Sequence, residues 1–207
     1  MSNTDLIIIG AGGHGKVVAD VAINTGKYEN IYFMDDYSST NLFYGFKNLG
    51  ETNQLYRYKN SADVFVAIGS NDIRKKKLEK LLADNYHVPT LVHSSAIISK
   101  NTEIDRGTVI MPAVVINSST KIGLGAIINT NSNIDHDCKV GDFTHVSPGV
   151  SIAGSVKIGK ECWIGINSTI INKISINDGI VVGAGSVVIK NIKERGTYIG
   201  SPARRIK

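Results

Sequence analysis

Hydrophobic and polar positions follow two different rules along this chain. From Val92 to Val188 every sixth residue is Ile or Val, seventeen times in succession. The position four residues after each is mostly small, as at Thr108, Thr120, Ser132, Cys138, Thr144, Cys162 and Ser168. A period of six fits neither the helix nor the ordinary strand, and a fixed internal period marks a solenoid. The pattern predicts a triangular β-solenoid in which each hexapeptide forms one flat face and three hexapeptides close a coil. Ile or Val fills the prism, and the small residue sits beneath a corner. Parallel coils stack about 4.8 Å apart, so nearly six coils make a prism of roughly 27 Å. Gly follows the inward residue at positions 123, 141, 159, 165 and 183, and Asn, Ser or Asp follows it at 117, 129, 135, 147 and 177. These residue types tolerate left-handed backbone, which places the tight corners there.

Before residue 91 the spacing changes. Residues 5–9 read as a buried strand, followed by a Gly-rich loop and an apolar helix through Ala22. Further strands are predicted at 31–34 and 64–68, a helix at 73–85 with Gly69-Ser70-Asn71 at its start, and a short strand at 88–92. Strands alternating with helices imply a small parallel sheet. The expected architecture is an α/β, Rossmann-like unit over residues 1–90 and an all-β solenoid over 91–207. Glycines at 10, 12 and 15 form a dinucleotide fingerprint, and Asp35 follows twenty residues later, where a ribose-binding acid stands. Ninety residues hold little more than one of the two halves that a dinucleotide needs. The fragment suits a single nucleotide with its phosphates at the helix N-terminus. The bland alternative is a tight turn, and His14 either donates to a diphosphate or caps the helix.

Composition narrows the class only a little. The chain is 42% hydrophobic and 20% charged, as in an ordinary globular protein. Its longest apolar run near the start, residues 6–9, is too short for a signal peptide or membrane span, so a cytoplasmic protein without a membrane partner is expected. The net charge of +5 comes without aromatic-studded basic surface, which argues against nucleic acid. Arg74-Lys75-Lys76-Lys77 reads as a solvated helix face. Arg204-Arg205-Ile206-Lys207 follows a Gly200-Ser201-Pro202-Ala203 turn and suits a phosphate. Cys138 and Cys162 both occupy the small inward position, on different faces of the prism, so packing accounts for them better than a disulfide or metal.

Of five histidines, His87 and His93 flank the junction between the two regions and read as structural. His136 lies between Asp135 and Asp137, two residues after inward Ile134, and should project outward near a corner. A neighbouring carboxylate raises imidazole basicity and fixes its tautomer, as a general base requires; a surface histidine is the equal alternative. One coil further on, about 4.8 Å from His136 by the coil spacing, lies Gly154, whose backbone N–H would be open to a bound carbonyl. His145 is half a coil from His136, so the two can share a pocket only across a subunit interface.

Several segments together resemble one family. They are Gly10-Ala-Gly12-Gly13-His14-Gly15, Phe33-Met-Asp35-Asp36, Ala67-Ile-Gly69-Ser-Asn71-x-x-Arg74, Ile134-Asp-His136-Asp137-Cys, His145-Val-Ser-Pro-Gly-Val-x-Ile-Ala-Gly154 and Gly200-Ser-Pro-Ala-Arg204. The chain resembles, over nearly its whole length, the sialic acid O-acetyltransferase and nucleotide-sugar N-acetyltransferase family of hexapeptide-repeat acyltransferases. The resemblance implies coils wound left-handed, a homotrimer with active sites between subunits, acetyl-CoA along the solenoid and a nucleotide sugar on the N-terminal unit. It implies His136 as general base and Asp137 as the acid that raises its basicity, beside Gly154 N–H as the oxyanion donor expected from the coil geometry. It implies acetyl-CoA contacts at His145, Ile166 and Ala184, to which the phosphate-suited tail adds Arg204, and nucleotide-sugar contacts at Gly12, Gly13, His14, Asp35, Asp36 and Gly69. No metal is expected. Three functions are to be weighed: N-acetylation of a UDP-linked 4-amino-sugar, O-acetylation of sialic acid or a related precursor, and a solenoid carbonic anhydrase or non-catalytic scaffold.

Overall fold

Leu6, Ile7 and Ile8 are completely enclosed, which a short apolar run achieves as a central strand covered on both faces. In the computed structural model, which describes residues 4–38 and 40–206, this run is the core of β1 (Thr4–Ile9). The chain divides into two compact units, Met1–Val92 and His93–Lys207.

In the first unit β1 is followed by α1 (Gly13–Thr25), β2 (Tyr28–Met34), a hairpin of β3 (Leu42–Phe43) and β4 (Phe46–Lys47), a 3-10 turn (Thr52–Tyr58), β5 (Ala62–Val66) and α2 (Asn71–Ala83). The sheet is parallel in the order β2-β1-β5. Ile9 pairs with both Met34 and Val66, so all three strands end level. The loops that follow them therefore lie together at the carboxyl edge, where ligands bind in such sheets. Two glycines of the first loop are required by geometry. Gly10 has φ 114°, and a Cβ on Gly15 would drive into the carbonyl of Gly10. Gly12 and Gly13 relieve no clash, since a Cβ there would meet nothing within 4 Å. They leave the helix N-terminus open instead.

The basic run on α2 is not a uniformly solvated face. Arg74 is 1% exposed and donates from Nη1 to the carbonyls of Ile68 and Gly69, both at 3.0 Å, and from Nη2 to Asn71 Oδ1 at 2.8 Å. It ties down the loop after β5 from within. Ser70 caps the helix by accepting the N–H of Ile73 at 3.5 Å.

The second unit is a left-handed parallel β-helix of about six turns. Two-residue rungs pair in register with rungs eighteen residues away, as Ile116 with Ile134 and Ile134 with Ile152. From Ile110 onward the inward Ile and Val are buried, while Ile98 and Ile104 at the mouth are half-buried. The small inward residues do more than fit. Thr120 Oγ1 donates to the carbonyl of Asp135 at 2.7 Å and accepts the N–H of Cys138 at 3.1 Å. Thr144 does the same with Gly159 and Cys162. Each hydroxyl thus staples one coil to the next inside the prism. Both cysteines are free, and each Sγ lies against a carbonyl of the following coil.

The corners differ from expectation in one respect. Positive φ recurs every sixth residue from Gly107 to Gly185, three positions after the inward residue rather than one. Glycine directly after the inward residue serves close approach. A Cβ on Gly165 would lie 2.6 Å from the backbone nitrogen of Ala184, in the next coil. Left-handed backbone is instead imposed on such residues as Ala113, Asp137 and Phe143, which the coil's ladder bonds hold there.

The staple has a measurable consequence. Thr144→Val keeps the shape but leaves the buried N–H of Cys162 without its acceptor, and should cost about 1–3 kcal/mol. Urea unfolding should show a lowered midpoint, with Thr144→Ser retaining most of the stability.

Candidate active site

The register that pairs Ile134 with Ile152 stacks the corner residue His136 directly on Gly154. A Cβ on Gly154 would stand 2.7 Å from both Cε1 and Nε2 of the His136 ring, so only glycine lets the imidazole lie there. His136 is solvent-facing, with 57% of its side chain exposed. Adjacent residues on a flat strand point apart; here Asp137 takes φ 58°, and this turn swings its carboxylate back onto the ring. Asp137 Oδ2 lies 2.7 Å from His136 Nδ1. With Nδ1–H donated to Asp137, Nε2 is left as the proton acceptor, on the Gly154 side. The hydrogen bond to Asp137, followed by the negative charge of Asp135, raises the His136 pKa above its ordinary value.

Asp135 has a different task. Its Oδ1 accepts the backbone N–H of His136 at 2.8 Å and the side-chain amide of Asn117 at 2.8 Å. The amide of Asn117, then the N–H of His136, holds its carboxyl below the usual range. One coil on, the equivalent position is Ala153, which offers no acceptor. Among the described residues the N–H of Gly154 has no partner, while its carbonyl accepts from Lys173 at 3.0 Å. The corner therefore presents an acceptor nitrogen and an unused backbone donor on successive rungs.

His145 sits on another ladder, between Ile127 and Trp163. It is 7% exposed, packs its ring 4.6 Å from that of Trp163, and places Nε2 3.2 Å from Asn129 Nδ2. Within the chain His136 and His145 are not brought together. Ile166 and Ala184 stack one coil apart on a separate edge, where Gly185 N–H donates to Ile166 O at 2.8 Å, and both are exposed. Arg204 lies on a short antiparallel pair with Thr197–Ile199, exposed, with Nη1 donating to Ala203 O at 2.9 Å. Lys207, the end of that basic run, lies outside the described residues. Of the apolar residues that directly precede an inward position, Ile127 is buried at 1%, Val115 is half-buried and Val181 is exposed.

In the first unit a cavity of about 470 Å³ opens at the carboxyl edge of the sheet. Gly12, Gly13, His14, Asp35, Asp36 and Gly69 all line it. The two acids are already engaged. Asp35 Oδ2 accepts the N–H of Ala11 at 2.7 Å and Oδ1 that of Tyr37 at 2.8 Å, which braces the Gly-rich loop. Asp36 Oδ1 accepts both the N–H and hydroxyl of Thr52, at 2.8 and 2.6 Å, and Oδ2 accepts Lys77 Nζ at 2.9 Å. Burial works to raise the Asp36 pKa, but the bonds from Thr52 and Lys77 prevail and hold it at about 2. His14 has its Nε2 buried without a hydrogen-bond partner among the described residues. Burial, then the charge of Arg74, lowers its pKa to about 4, so it is neutral at neutral pH. Thr52, Lys77 and Asn129 escaped sequence reasoning. For Asn129 a signal existed, its place directly after an inward residue of the His145 ladder. Among the described residues no group of three His, Cys, Asp or Glu could hold a metal ion, and no helix is long and apolar enough to cross a membrane.

Comparison with known proteins gives a consistent set. Residues 5–81 match the model of the PglD N-terminal domain. The chain is 34% identical over 112 residues to UDP-N-acetylbacillosamine N-acetyltransferase of Bacillus subtilis (strain 168), covering 52% of this chain and 51% of that protein. The matched stretch thus spans about half the length of this curated relative. Solved structures match over far more. The acetyltransferase domain of PglB from Neisseria gonorrhoeae FA1090 is 35% identical with a TM-score of 0.95, covering 99% of this chain and 100% of that one; it is also known in complex with acetyl coenzyme A. PerB from Caulobacter crescentus, in complex with CoA and GDP-perosamine, is 30% identical with a TM-score of 0.91, covering 98% and 97%.

The histidine's environment can be tested directly. An NMR titration should place His136 above the ordinary histidine value of 6.5. In Asp137→Asn the pKa should fall, because the hydrogen bond that favours the charged ring is weakened. An unchanged value would show that the Asp137 contact does not form in solution.

Proposed function

Because the chain belongs to the nucleotide-sugar N-acetyltransferase family of hexapeptide-repeat proteins, we propose that it transfers acetyl from acetyl-CoA to the amino group of a UDP-linked 4-amino-sugar. The observation that carries this reading is His136 Nε2 standing one rung from the open N–H of Gly154. Base and oxyanion donor are then separated by about the coil spacing of 4.8 Å, as acyl transfer to an amine requires.

The steps follow from that placement. The sugar amine attacks the thioester carbonyl carbon, and its proton passes to His136 Nε2. The oxygen that gains charge is held by Gly154 N–H. Collapse of the tetrahedral species breaks the C–S bond, and the thiolate of CoA takes the proton back from His136. Asp137 stabilises the imidazolium meanwhile and keeps the ring in its tautomer. No covalent enzyme intermediate is needed, and burial raises the pKa of both cysteine thiols, as befits packing rather than nucleophilic attack. The exposed edge of Ile166 and Ala184 suits the pantetheine arm of acetyl-CoA, with His145 and Arg204 as further contacts. Two Caulobacter crescentus structures with CoA and GDP-perosamine are of mutants in which one histidine is replaced, which supports a central histidine in that enzyme.

The cavity lined by Gly12, Gly13, His14, Asp35, Asp36 and Gly69 supports a nucleotide-linked acceptor over free sialic acid. The open N-terminus of α1 suits a diphosphate. We further propose a homotrimer, because His136 and His145 can meet only between copies, and Trp163, Ile166 and Val181 leave apolar surface exposed.

His136→Ala should lower turnover by roughly 10²–10⁴-fold, the usual range for loss of a general base, with acetyl-CoA affinity nearly intact. Turnover close to the parent would remove His136 from the mechanism. Light scattering should return the mass of three chains, and a stable, fully active monomer would overturn the shared site.

A further inference from the structure

The nucleotide cavity contains a cluster that the diphosphate does not explain. Lys77 is the only Lys or Arg among the described residues lining it, yet its ammonium is held on an acid, Asp36 Oδ2, at 2.9 Å. Asp36 Oδ1 is held in turn by Thr52. Three elements far apart in sequence thus converge on one carboxylate: the end of β2, the 3-10 turn and the middle of α2. All three side chains line the cavity. Side by side they offer donor, acceptor, donor: the Thr52 hydroxyl, the Asp36 carboxylate and the Lys77 ammonium. The backbone N–H of Thr52 keeps Asp36 in place when the hydroxyl turns its hydrogen to a ligand. Lys77 has two further N–H groups, and Asp36 Oδ2 has a second lone pair.

Resting on the nucleotide-sugar reading above, we propose that Thr52, Asp36 and Lys77 form a base-reading site that selects uracil or thymine. The imide edge of these bases runs carbonyl, N–H, carbonyl, and each group meets its complement. Cytosine keeps one carbonyl but presents a bare ring nitrogen to the carboxylate and an amino group to the ammonium. Guanine matches Lys77 and Asp36 but turns its amino group to the Thr52 hydroxyl, which can accept it only by surrendering its role as donor. Adenine presents an acceptor nitrogen where Asp36 needs a donor. Mispaired polar groups in a half-buried site lose their hydration without return, which is what makes such readout selective. Tyr37, 97% exposed beside this edge of the cavity, offers a ring face for the base to lie on.

UDP and CDP are the decisive pair, because ribose and diphosphate are identical and only the base edge differs. Titration calorimetry on the full chain should show UDP and dTDP binding roughly 10- to 100-fold more tightly than CDP, with GDP between and ADP weak. Lys77→Met should weaken UDP and narrow the gap between UDP and CDP, while acetyl-CoA affinity and the thermal midpoint stay near those of the parent. Thr52→Val should narrow the gap also. If no nucleoside diphosphate binds, the nucleotide-sugar reading falls and this inference with it. If UDP and CDP bind alike, if GDP binds best, or if Lys77→Met keeps the full gap, the base-reading site is overturned while the nucleotide pocket stands.

Discussion

Parallel coils that hydrogen-bond at about 4.8 Å leave almost no room between successive turns of the chain. Everything distinctive in the solenoid follows from that spacing. Asp135 N–H reaches Ile152 O and His145 N–H reaches Cys162 O, both at 2.9 Å, so each rung is fixed against the next. Inward positions must hold branched apolar side chains of nearly constant volume, because every coil repeats the cross-section of its neighbour. Small inward positions must satisfy the backbone as well as fit beneath it, which Thr and Ser do with one hydroxyl. Where the chain passes closest to the following coil, only glycine avoids collision.

The candidate chemistry rests on what a few corner residues offer. At the His136 corner the backbone N–H is satisfied by Asp135, and at other corners by residues such as Asn129 and Asp105. Ala153 offers no such acceptor, and among the described residues the N–H of Gly154 has no partner in the chain, as is also so at Ile166, Asn172 and Ala184. The missing Cβ of Gly154 is what permits the imidazole to lie over it. His136, with Ala153 and Gly154 one coil on, thus sets an acceptor and a donor at ladder spacing. Because both ride on rungs that are hydrogen-bonded on either side, their separation is as rigid as the fold itself, which suits a site that must be preorganised.

Period carries far in a sequence, and contact between distant elements does not. The inward ladder, the coil length and the stacking of His136 on Gly154 all follow from counting in sixes, so the solenoid and its corner were legible. The position of the left-handed residue was not. Glycine after the inward residue has two physical explanations, backbone freedom and close approach, and pattern alone does not separate them. Arg74 looked like part of a solvated run, since nothing in Arg74-Lys75-Lys76-Lys77 marks one member as buried; carbonyls left over at the end of β5 draw it in. Asp36 was legible as an acid at the strand end, but its partners Thr52 and Lys77 come from 16 and 41 residues away. Only the fold reveals that its carboxylate is already shared.

Two histidines in this chain are driven in opposite directions, and the contrast fits the chemistry proposed for each unit. His136 is exposed, with one carboxylate on its ring and another beside it, and its basicity rises. His14 is sunk at the start of α1 beside the buried Arg74, and its pKa falls to about 4. A group meant to take a proton from an amine gains from stabilisation of its charged form. A group facing a diphosphate beside a helix N-terminus does not need a titrating charge, because the helix dipole and the loop amides already supply the field. A neutral imidazole there still carries one N–H to donate, and it does so without a charge that would repel Arg74 across a poorly solvated gap. Environments that push the pKa values of like residues apart are how one chain assigns proton transfer to one and hydrogen bonding to another.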